Sequence, residues 1–447
     1  MAKIDLVRPA VHILRGPRQV GKSTDLKLIV QRALSEGYQA RQVVYLALDL
    51  LEGQAAGELN RTVERAYALA GTRERPRLLL LDEVTSASEW RTAVKVLWDD
   101  GLIDDDIVVC TGSSAIDLAL GTAERLPGRR GHGRDYLVLP QDFGSFARAT
   151  ESGIPPGLRM TIGEILERGG QDALLDARAH LPAMQRALER YLLFGGLPAA
   201  LAEAIVGEPA PSEDVRRVLW DSLIKEIQRR GATVAAAQAL LERVMRSLGS
   251  RVSWNQLAQE MDIPLGGRAR QSTMGKVNDH RTVQSYVEFM AINYLALVVY
   301  FWRPDSGTAN VSKDKKIYFG DPLLQTITAD HVGLVRDRHA EVENAVALAL
   351  YRRYERAEHH AENTTAPERL HVWGTKSGGE IDFVCGARQE IEVVEVADWA
   401  RVNRQKATAP MRALPGRPAI IATRQDLQFG DTANLVPAAL LLWALSD

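Results

Sequence analysis

The chain has 447 residues, 46% hydrophobic and 25% charged, which is typical of a globular protein with more than one domain. Its net charge of -2 excludes a global basic field, so any nucleic-acid-binding surface must be local. The cysteines, Cys110 and Cys385, are too few and too far apart for a disulfide scaffold, and no apolar run is long enough to span a membrane, so we expect a cytoplasmic protein.

The first predicted elements surround a phosphate-binding loop. A buried strand over residues 10–14 leads into this loop, and a helix follows over residues 25–34. The loop fits the pattern G-x-x-x-x-G-K-[ST], in which backbone N–H groups close around phosphate oxygens at a helix N-terminus. Its residues are Gly16, Pro17, Arg18, Gln19, Val20, Gly21, Lys22, Ser23 and Thr24. The pattern assigns Lys22 to the β- and γ-phosphates of ATP and the Ser23 hydroxyl to Mg²⁺.

A pair of acids ends the third predicted strand. After a strand over residues 42–48 and a helix over about 55–70, four leucines lead directly into Asp82 and Glu83. An apolar run of this kind is typical of a parallel strand buried on both faces, with its acids at the ligand-binding edge of the sheet. The pattern assigns Asp82 to the Mg²⁺ shell and Glu83 to the attacking water.

The next strand, residues 107–110, ends in hydroxyl side chains. Thr111 is placed to sense the γ-phosphate, whereas Ser113 and Ser114 serve equally well as helix caps. Arginines follow in a glycine-rich turn. Arg129, in preference to Arg130, is a candidate arginine finger for the ATP of a neighbouring subunit, with ordinary solvent exposure as the alternative. A fifth strand is predicted over residues 135–140.

These motifs resemble those of bacterial and archaeal AAA-type P-loop ATPases that have an added strand between the two Walker strands. The matching segments are GPRQVGKST, LLLLDEV with Trp90 soon after, TGSS, LPGR, FGGLP from Phe194, KIYFGD from Lys316, and GGEIDF from Gly378. The resemblance implies an α/β fold class: a P-loop core with a parallel sheet, a helical lid, a winged helix-turn-helix and a nuclease-like α/β domain. We therefore expect an ATPase core over residues 1–150, a lid over 151–233, a winged helix over 234–330 and a tail over 331–447.

The winged-helix region contains a candidate DNA surface. Helices are expected over residues 234–249, after an N-cap at Ser253, and around Val283, and a strand pair encloses a polar wing over residues 303–315. The candidate phosphate contacts are Arg268, Arg270, Lys276, Arg281, Lys313 and Lys315, with His280 and Lys316 nearby. The alternative is a winged helix that packs against protein and whose lysines are merely solvated.

The tail has the order of elements found in metal-dependent nucleases of the PD-(D/E)xK type. A helix carries Glu343, and two strands carry Asp382 and Glu395, so these three acids form a candidate metal site. Ala397 stands where such nucleases need a lysine, and Lys376 or Lys406 would have to replace it from elsewhere. We expect a tail that binds but does not cut; ordinary strand acids are the alternative.

The sequence therefore favours an oligomeric, Mg²⁺-dependent ATP hydrolase that couples its nucleotide state to a DNA-associated or partner-remodelling task. One rival is an ATP-dependent DNA nuclease with an active tail. The other is an ATP-switched regulatory protein with little turnover, whose tail docks a protein partner.

Overall fold

The computed structural model describes residues 4–49, 56–71, 74–87, 89–112, 131–261, 265, 279–355, 367–374, 379–387, 390–397, 419–431 and 433–447. These residues form two compact units, one that ends at Leu139 and one that begins at Pro140. Among the helices described, none is both long enough and apolar enough to cross a membrane.

The first unit is built on a parallel sheet of five strands in the order β2-β3-β4-β1-β5. The strands are β1 (Ala10–Arg15), β2 (Val43–Ala47), β3 (Leu78–Asp82), β4 (Ile107–Thr111) and β5 (Asp135–Leu137). Strand β4 pairs with both β1 and β3, which places one strand between the P-loop strand and the strand that ends in Asp82. This is the arrangement that the family resemblance implies.

Both faces of this sheet are covered, as the run of leucines predicts. The helices are α1 (Lys22–Ser35), α2 (Ala56–Ala70) and α3 (Trp90–Asp99). Successive strand side chains point to opposite faces. Leu79 and Leu81 accordingly join a core with Trp90, whereas Leu78 and Leu80 join a second core with Leu26.

The second unit begins with helices. They are α4 (Phe143–Thr150), α5 (Ile162–Leu166), α6 (Arg168–Ala177), α7 (Leu181–Phe194), α8 (Pro198–Ile205), α9 (Glu213–Gln228), α10 (Val234–Arg246), α11 (Trp254–Gln259), α12 (His280–Ile292), α13 (Pro322–Val332), α14 (Arg338–Glu355) and α15 (Ala438–Leu445). Phe143 and Phe146 of α4 pack edge-on against Tyr191 in the core of the second unit, which begins at residue 140. The further division of this unit into lid, winged helix and tail stays a prediction.

A mixed sheet of seven strands, in the order β12-β11-β10-β9-β8-β6-β7, completes the second unit. The strands are β6 (Ala296–Arg303), β7 (Thr308–Phe319), β8 (Leu370–Gly374), β9 (Glu380–Ala387), β10 (Glu390–Val396), β11 (Ala419–Thr423) and β12 (Asn434–Pro437). The β6–β7 hairpin lies in the predicted winged-helix region, yet Phe301 of β6 pairs with Val372 of β8 in the predicted tail. The two predicted regions therefore share one sheet.

Two of the sequence segments that carry the resemblance meet in this unit. Gly195, at a positive φ of 63°, lies so close to Asp321 that a Cβ on it would stand 1.8 Å from Oδ1. The amide of Gly196 donates to Asp321 Oδ2 at 2.9 Å, and the amide of Leu323 donates to Oδ1 at 2.8 Å. The FGGLP segment thus needs Gly195 because a buried carboxylate packs against it, and Gly196 because a Cβ there would meet the carbonyl oxygen of Gln141 at 2.0 Å.

The stability of the second unit is expected to depend on the titration of Asp321. Burial raises the pKa of this carboxyl from 3.8 to about 6, although Arg352 and the two amides act in the opposite direction. The stabilisation that this raised pKa gives the folded protein is complete below pH 4, where Asp321 is protonated in both states. It is lost as the pH rises through about 6. The shift of two pKa units corresponds to about 3 kcal/mol.

Asp321→Asn removes this titration while keeping one acceptor oxygen. The difference in unfolding free energy between wild type and Asp321→Asn should therefore shrink from pH 4 to pH 7 in urea titrations. A difference that stays constant from pH 4 to pH 7 would show that Asp321 does not titrate with a raised pKa in the folded protein.

Candidate functional site

The P-loop joins the end of β1 to the start of α1, and its backbone has positive φ values that most residues disfavour. Gln19 and Gly21 have positive φ values of 61° and 101°. Gly16 packs so closely on Val138 that a Cβ would meet its carbonyl oxygen at 2.0 Å. Gly21 is the N-cap of α1 and has no side chain to cap it. The first N–H groups of a helix lack partners within the helix, so this end suits an anion.

Lys22 is held over this loop. Its side chain is buried, and Nζ donates to the carbonyl oxygens of Gly16 at 2.9 Å and Pro17 at 2.7 Å. Ser23 and Thr24 follow it in the first turn of α1 and are exposed. Because these bonds hold an ammonium group beside the helix N-terminus, positive charge collects where the sequence expects phosphate.

Asp82 is fixed at the end of β3 by two hydroxyl groups. Thr111 Oγ1 donates to Asp82 Oδ1 at 2.6 Å, and the hydroxyl of Tyr45 donates to Oδ2. Burial and the bond to Asp82 raise the pKa of Tyr45. A buried carboxylate with both oxygens oriented in this way keeps one rotamer, which suits a ligand in a metal shell.

Glu83 leaves the strand in a left-handed conformation, with φ 54° and ψ 43°. Its amide donates to Thr111 Oγ1 at 3.1 Å, and its side chain is half-buried. Such a conformation costs a non-glycine residue about 1–3 kcal/mol and recurs at functional sites. Thr111 is fully buried and bonds to both acids, which adds a positioning contact that the sequence did not suggest.

Residues 8–147 match the AAA domain family. The match takes in the P-loop, Asp82 and Thr111, and it supports an AAA-type P-loop domain in this part of the chain. A second family, described only as a domain of unknown function (DUF8612), matches residues 185–328. The chain matches no curated protein.

Among solved structures, similar chains include two proteins of Aeropyrum pernix and one of Pyrobaculum aerophilum. ORC2 in ADPNP–ADP complexes is 12% identical, with a TM-score of 0.36, over 73% of this chain and 89% of that one. ORC1 in complex with DNA is 11% identical, with a TM-score of 0.29, over 72% and 87%. Cdc6p is 15% identical, with a TM-score of 0.25, over 73% and 90%.

Several candidates for the AAA domain and the DNA surface lie outside the described residues. They are Ser113, Ser114, Arg129, Arg130, Arg268, Arg270 and Lys276, together with the side chain of Lys313. Arg281 is exposed in the first turn of α12, as a phosphate contact requires.

The structure corrects the prediction that Lys315 contacts phosphate from a wing loop. Strand β7 begins at Thr308, so Lys315 lies within the strand and not in a wing loop. Its side chain is buried, with Nζ 4.1 Å from the centroid of the Trp254 ring, and burial lowers its pKa to about 8. A lysine enclosed against tryptophan in this way is unsuited to contacting DNA phosphates.

The three predicted tail acids do come together, around a lysine that the sequence placed at the wing. Lys316 Nζ lies 2.9 Å from Glu343 Oε1, 2.6 Å from Glu380 Oε1 and 2.8 Å from Asp382 Oδ1. Glu395 joins them because its Oε2 accepts the amide of Asp382 at 3.2 Å. We call these five residues the tail cluster.

The charges of the tail cluster depend on one another. Burial, followed by the charge of Asp382, raises the pKa of both Glu343 and Glu395. Burial alone lowers the pKa of Lys316, but the carboxylates of Asp382, Glu343 and Glu380 more than reverse this, and its pKa lies well above the usual value. Lys316 therefore carries its charge inside the cluster.

Lys316, and not a residue near Ala397, is the basic side chain that the structure places among these acids. Ala397 packs in the apolar core on one face of the sheet, and Lys376 and Lys406 lie outside the described residues. Across the described part of the chain, no group of three or more His, Cys, Asp or Glu side chains is arranged to hold a metal ion.

Proposed function

We propose that the chain is a Mg²⁺-dependent ATP hydrolase whose P-loop unit couples the nucleotide state to a task performed with DNA or a protein partner. The observation that carries this proposal is the common edge at which Lys22, Asp82 and Glu83 lie. Strands β1 and β3 run parallel on either side of β4, so their carboxyl ends meet at this edge.

Each residue of this edge has a distinct role in the proposal. Lys22 exchanges its loop carbonyls for the β- and γ-phosphates, with the N-terminus of α1 beneath them. Ser23 and Asp82 fit a hard cation, since both offer oxygen and Asp82 is held in one orientation by Thr111 and Tyr45. Bound Mg²⁺ would supply neutralisation of phosphate charge. Glu83 accepts a proton from the attacking water, and Thr111 fixes its backbone.

The test is Mg²⁺-dependent turnover of ATP by purified protein, compared with Lys22→Ala. We expect Lys22→Ala to weaken ATP binding at least tenfold and to abolish detectable turnover, because phosphate charge loses its main partner. Binding is measured by calorimetry with a non-hydrolysable analogue. Lys27→Ala, an exposed lysine five residues further along α1, is the matched control. Equal turnover by wild type and Lys22→Ala would overturn the proposal.

We propose in addition that Arg129 acts in trans, so that the active form is a homo-oligomer. Turnover per chain should then rise with protein concentration, and an equimolar mixture of Arg129→Ala and Lys22→Ala chains should regain part of the activity. Turnover per chain that does not change with protein concentration would contradict the role of Arg129 as an arginine finger in trans.

Nucleic-acid binding through the winged-helix region is proposed on the sequence pattern and the exposure of Arg281, with Lys315 removed from the interface. The test is the salt dependence of DNA binding. We expect the binding constant to fall steeply as the salt concentration rises, because each neutralised phosphate steepens the slope of log binding constant against log salt concentration. Affinity that does not change with salt would instead favour the protein-docking alternative.

For the tail we propose a binding role without phosphodiester cleavage. Purified wild type is expected to leave single- and double-stranded DNA and RNA intact in Mg²⁺ or Mn²⁺. Cleavage that disappears in Asp382→Ala and survives Lys22→Ala would instead establish the nuclease alternative.

A further inference from the structure

We propose that the ammonium group of Lys316 is the built-in cation of the tail cluster and fills the position that a divalent metal ion would need. An ammonium group has three N–H donors. The three carboxylate oxygens of Glu343, Glu380 and Asp382 lie 2.6 to 2.9 Å from Nζ and account for all of them.

A metal ion does not fit beside this ammonium group. Mg²⁺ and Mn²⁺ bind by direct contact with carboxylate oxygens, and a second cation at the same oxygens would lie within a few ångströms of the lysine charge. The side chain of Lys316 is only 1% exposed, so its ammonium group lies inside the protein, at the oxygens that a metal ion would need.

The second carboxylate oxygens of Asp382 and Glu380 are also engaged. Asp382 Oδ2 accepts the amide of Val396 at 2.9 Å, and Glu380 Oε2 accepts from Arg251 Nε. The hydroxyl of Tyr318 donates at 2.6 Å to Glu343 Oε1, the same oxygen that contacts Lys316. The donors around these carboxylates therefore come from the protein itself.

Lys316 also links parts of the fold, as a structural metal ion would. It lies on β7, whereas its partners lie on α14 and β9, so one buried charge connects three elements of the second unit. The absence of cleavage proposed for the tail then follows from a cation position that is already filled, and not from a missing lysine.

The test uses nucleotide-free full-length protein, Mn²⁺ as the probe, and Lys316→Met, which removes the charge and keeps most of the stem. Mn²⁺ uptake is followed by electron paramagnetic resonance, and unfolding temperature is measured in EDTA and in Mn²⁺. The matched control is Lys315→Met, which removes the neighbouring buried lysine that packs on Trp254.

We expect wild type and Lys315→Met to take up no Mn²⁺ at sub-millimolar concentration and to unfold at temperatures that do not depend on the metal. Lys316→Met should unfold roughly 10 °C below wild type in EDTA, because the carboxylates of Glu343, Glu380 and Asp382, two of them buried, lose their counter-charge. Mn²⁺ should bind to Lys316→Met and restore much of this loss, since hard cations take oxygen ligands.

Stoichiometric Mn²⁺ uptake by wild type that disappears in Asp382→Asn would overturn the proposal, because metal and ammonium would then coexist. Unchanged stability of Lys316→Met without Mn²⁺ uptake would also overturn it. The titrations of wild type and Asp382→Asn do not depend on whether Lys316→Met folds, so they decide the question if that variant is insoluble.

Discussion

Glu83→Gln is expected to bind ATP as wild type does and to hydrolyse it about 10²–10⁴-fold more slowly, the usual contribution of a general base. Glutamine has nearly the shape of glutamate but does not accept a proton from water. The backbone that sets this position is unaffected by the change, because the amide of residue 83 donates to Thr111 Oγ1 at 3.1 Å. Binding and single-turnover hydrolysis are measured separately, so that loss of chemistry is distinguished from loss of affinity.

Glu89→Gln is the matched control for this experiment. Glu89 has the same left-handed conformation as Glu83, with φ 56°, and is exposed at the start of α3. Its substitution should leave turnover unchanged. If Glu83→Gln hydrolyses ATP at the wild-type rate, Glu83 does not act on the water and the assignment of this edge as catalytic fails.

Asp106→Ala should destabilise the first unit by about 3–5 kcal/mol, the cost of leaving a buried charge without its partner. Asp106 is fully buried and lies 2.7 Å from Arg77 Nη2. It also accepts from the amide of Arg77 at 2.9 Å and from the hydroxyl of Tyr67 at 3.0 Å. The guanidinium group of Arg77 stacks on the Tyr67 ring at 3.5 Å, so the three side chains form one network.

Hydrogen exchange of peptides from β3 and β4 in urea measures this loss in the first unit alone. Asp105→Ala is the control, because the adjacent side chain is 69% exposed and lies 3.8 Å from Arg75. Exchange rates that rise equally in both variants would mean that the network contributes little to stability.

The sequence predicts the first unit well because its signals are local. The run of leucines before Asp82 fixes a strand buried on two faces, and the glycines and Lys22 fix the loop that precedes α1. The bond from Thr111 to Asp82 was not foreseen, because it joins ends of adjacent strands that are 29 residues apart in sequence. The Tyr67–Arg77–Asp106 network escaped prediction for the same reason.

In the second unit, the sequence did not predict that Lys316 lies among the tail acids. Neighbouring residues of a strand point to opposite faces, so Lys315 and Lys316 have different surroundings although they look alike in sequence. Glu343 and Asp382 lie 27 and 66 residues further along the chain, and no local pattern connects them to Lys316. The three tail acids were found because their order matches a known arrangement, whereas the lysine enters from an element outside that arrangement.

The pairing of β6 with β8 limits how this chain can be divided. A fragment that ends near residue 330 would keep the β6–β7 hairpin but lose the strand beside it, and a fragment that begins there would present β8 with one edge unpaired. Exposed strand edges recruit other strands, so both pieces are expected to aggregate. Lys316 would be separated from Glu343 and Asp382 by the same cut. The hairpin and the tail are therefore expected to fold only together, as one module.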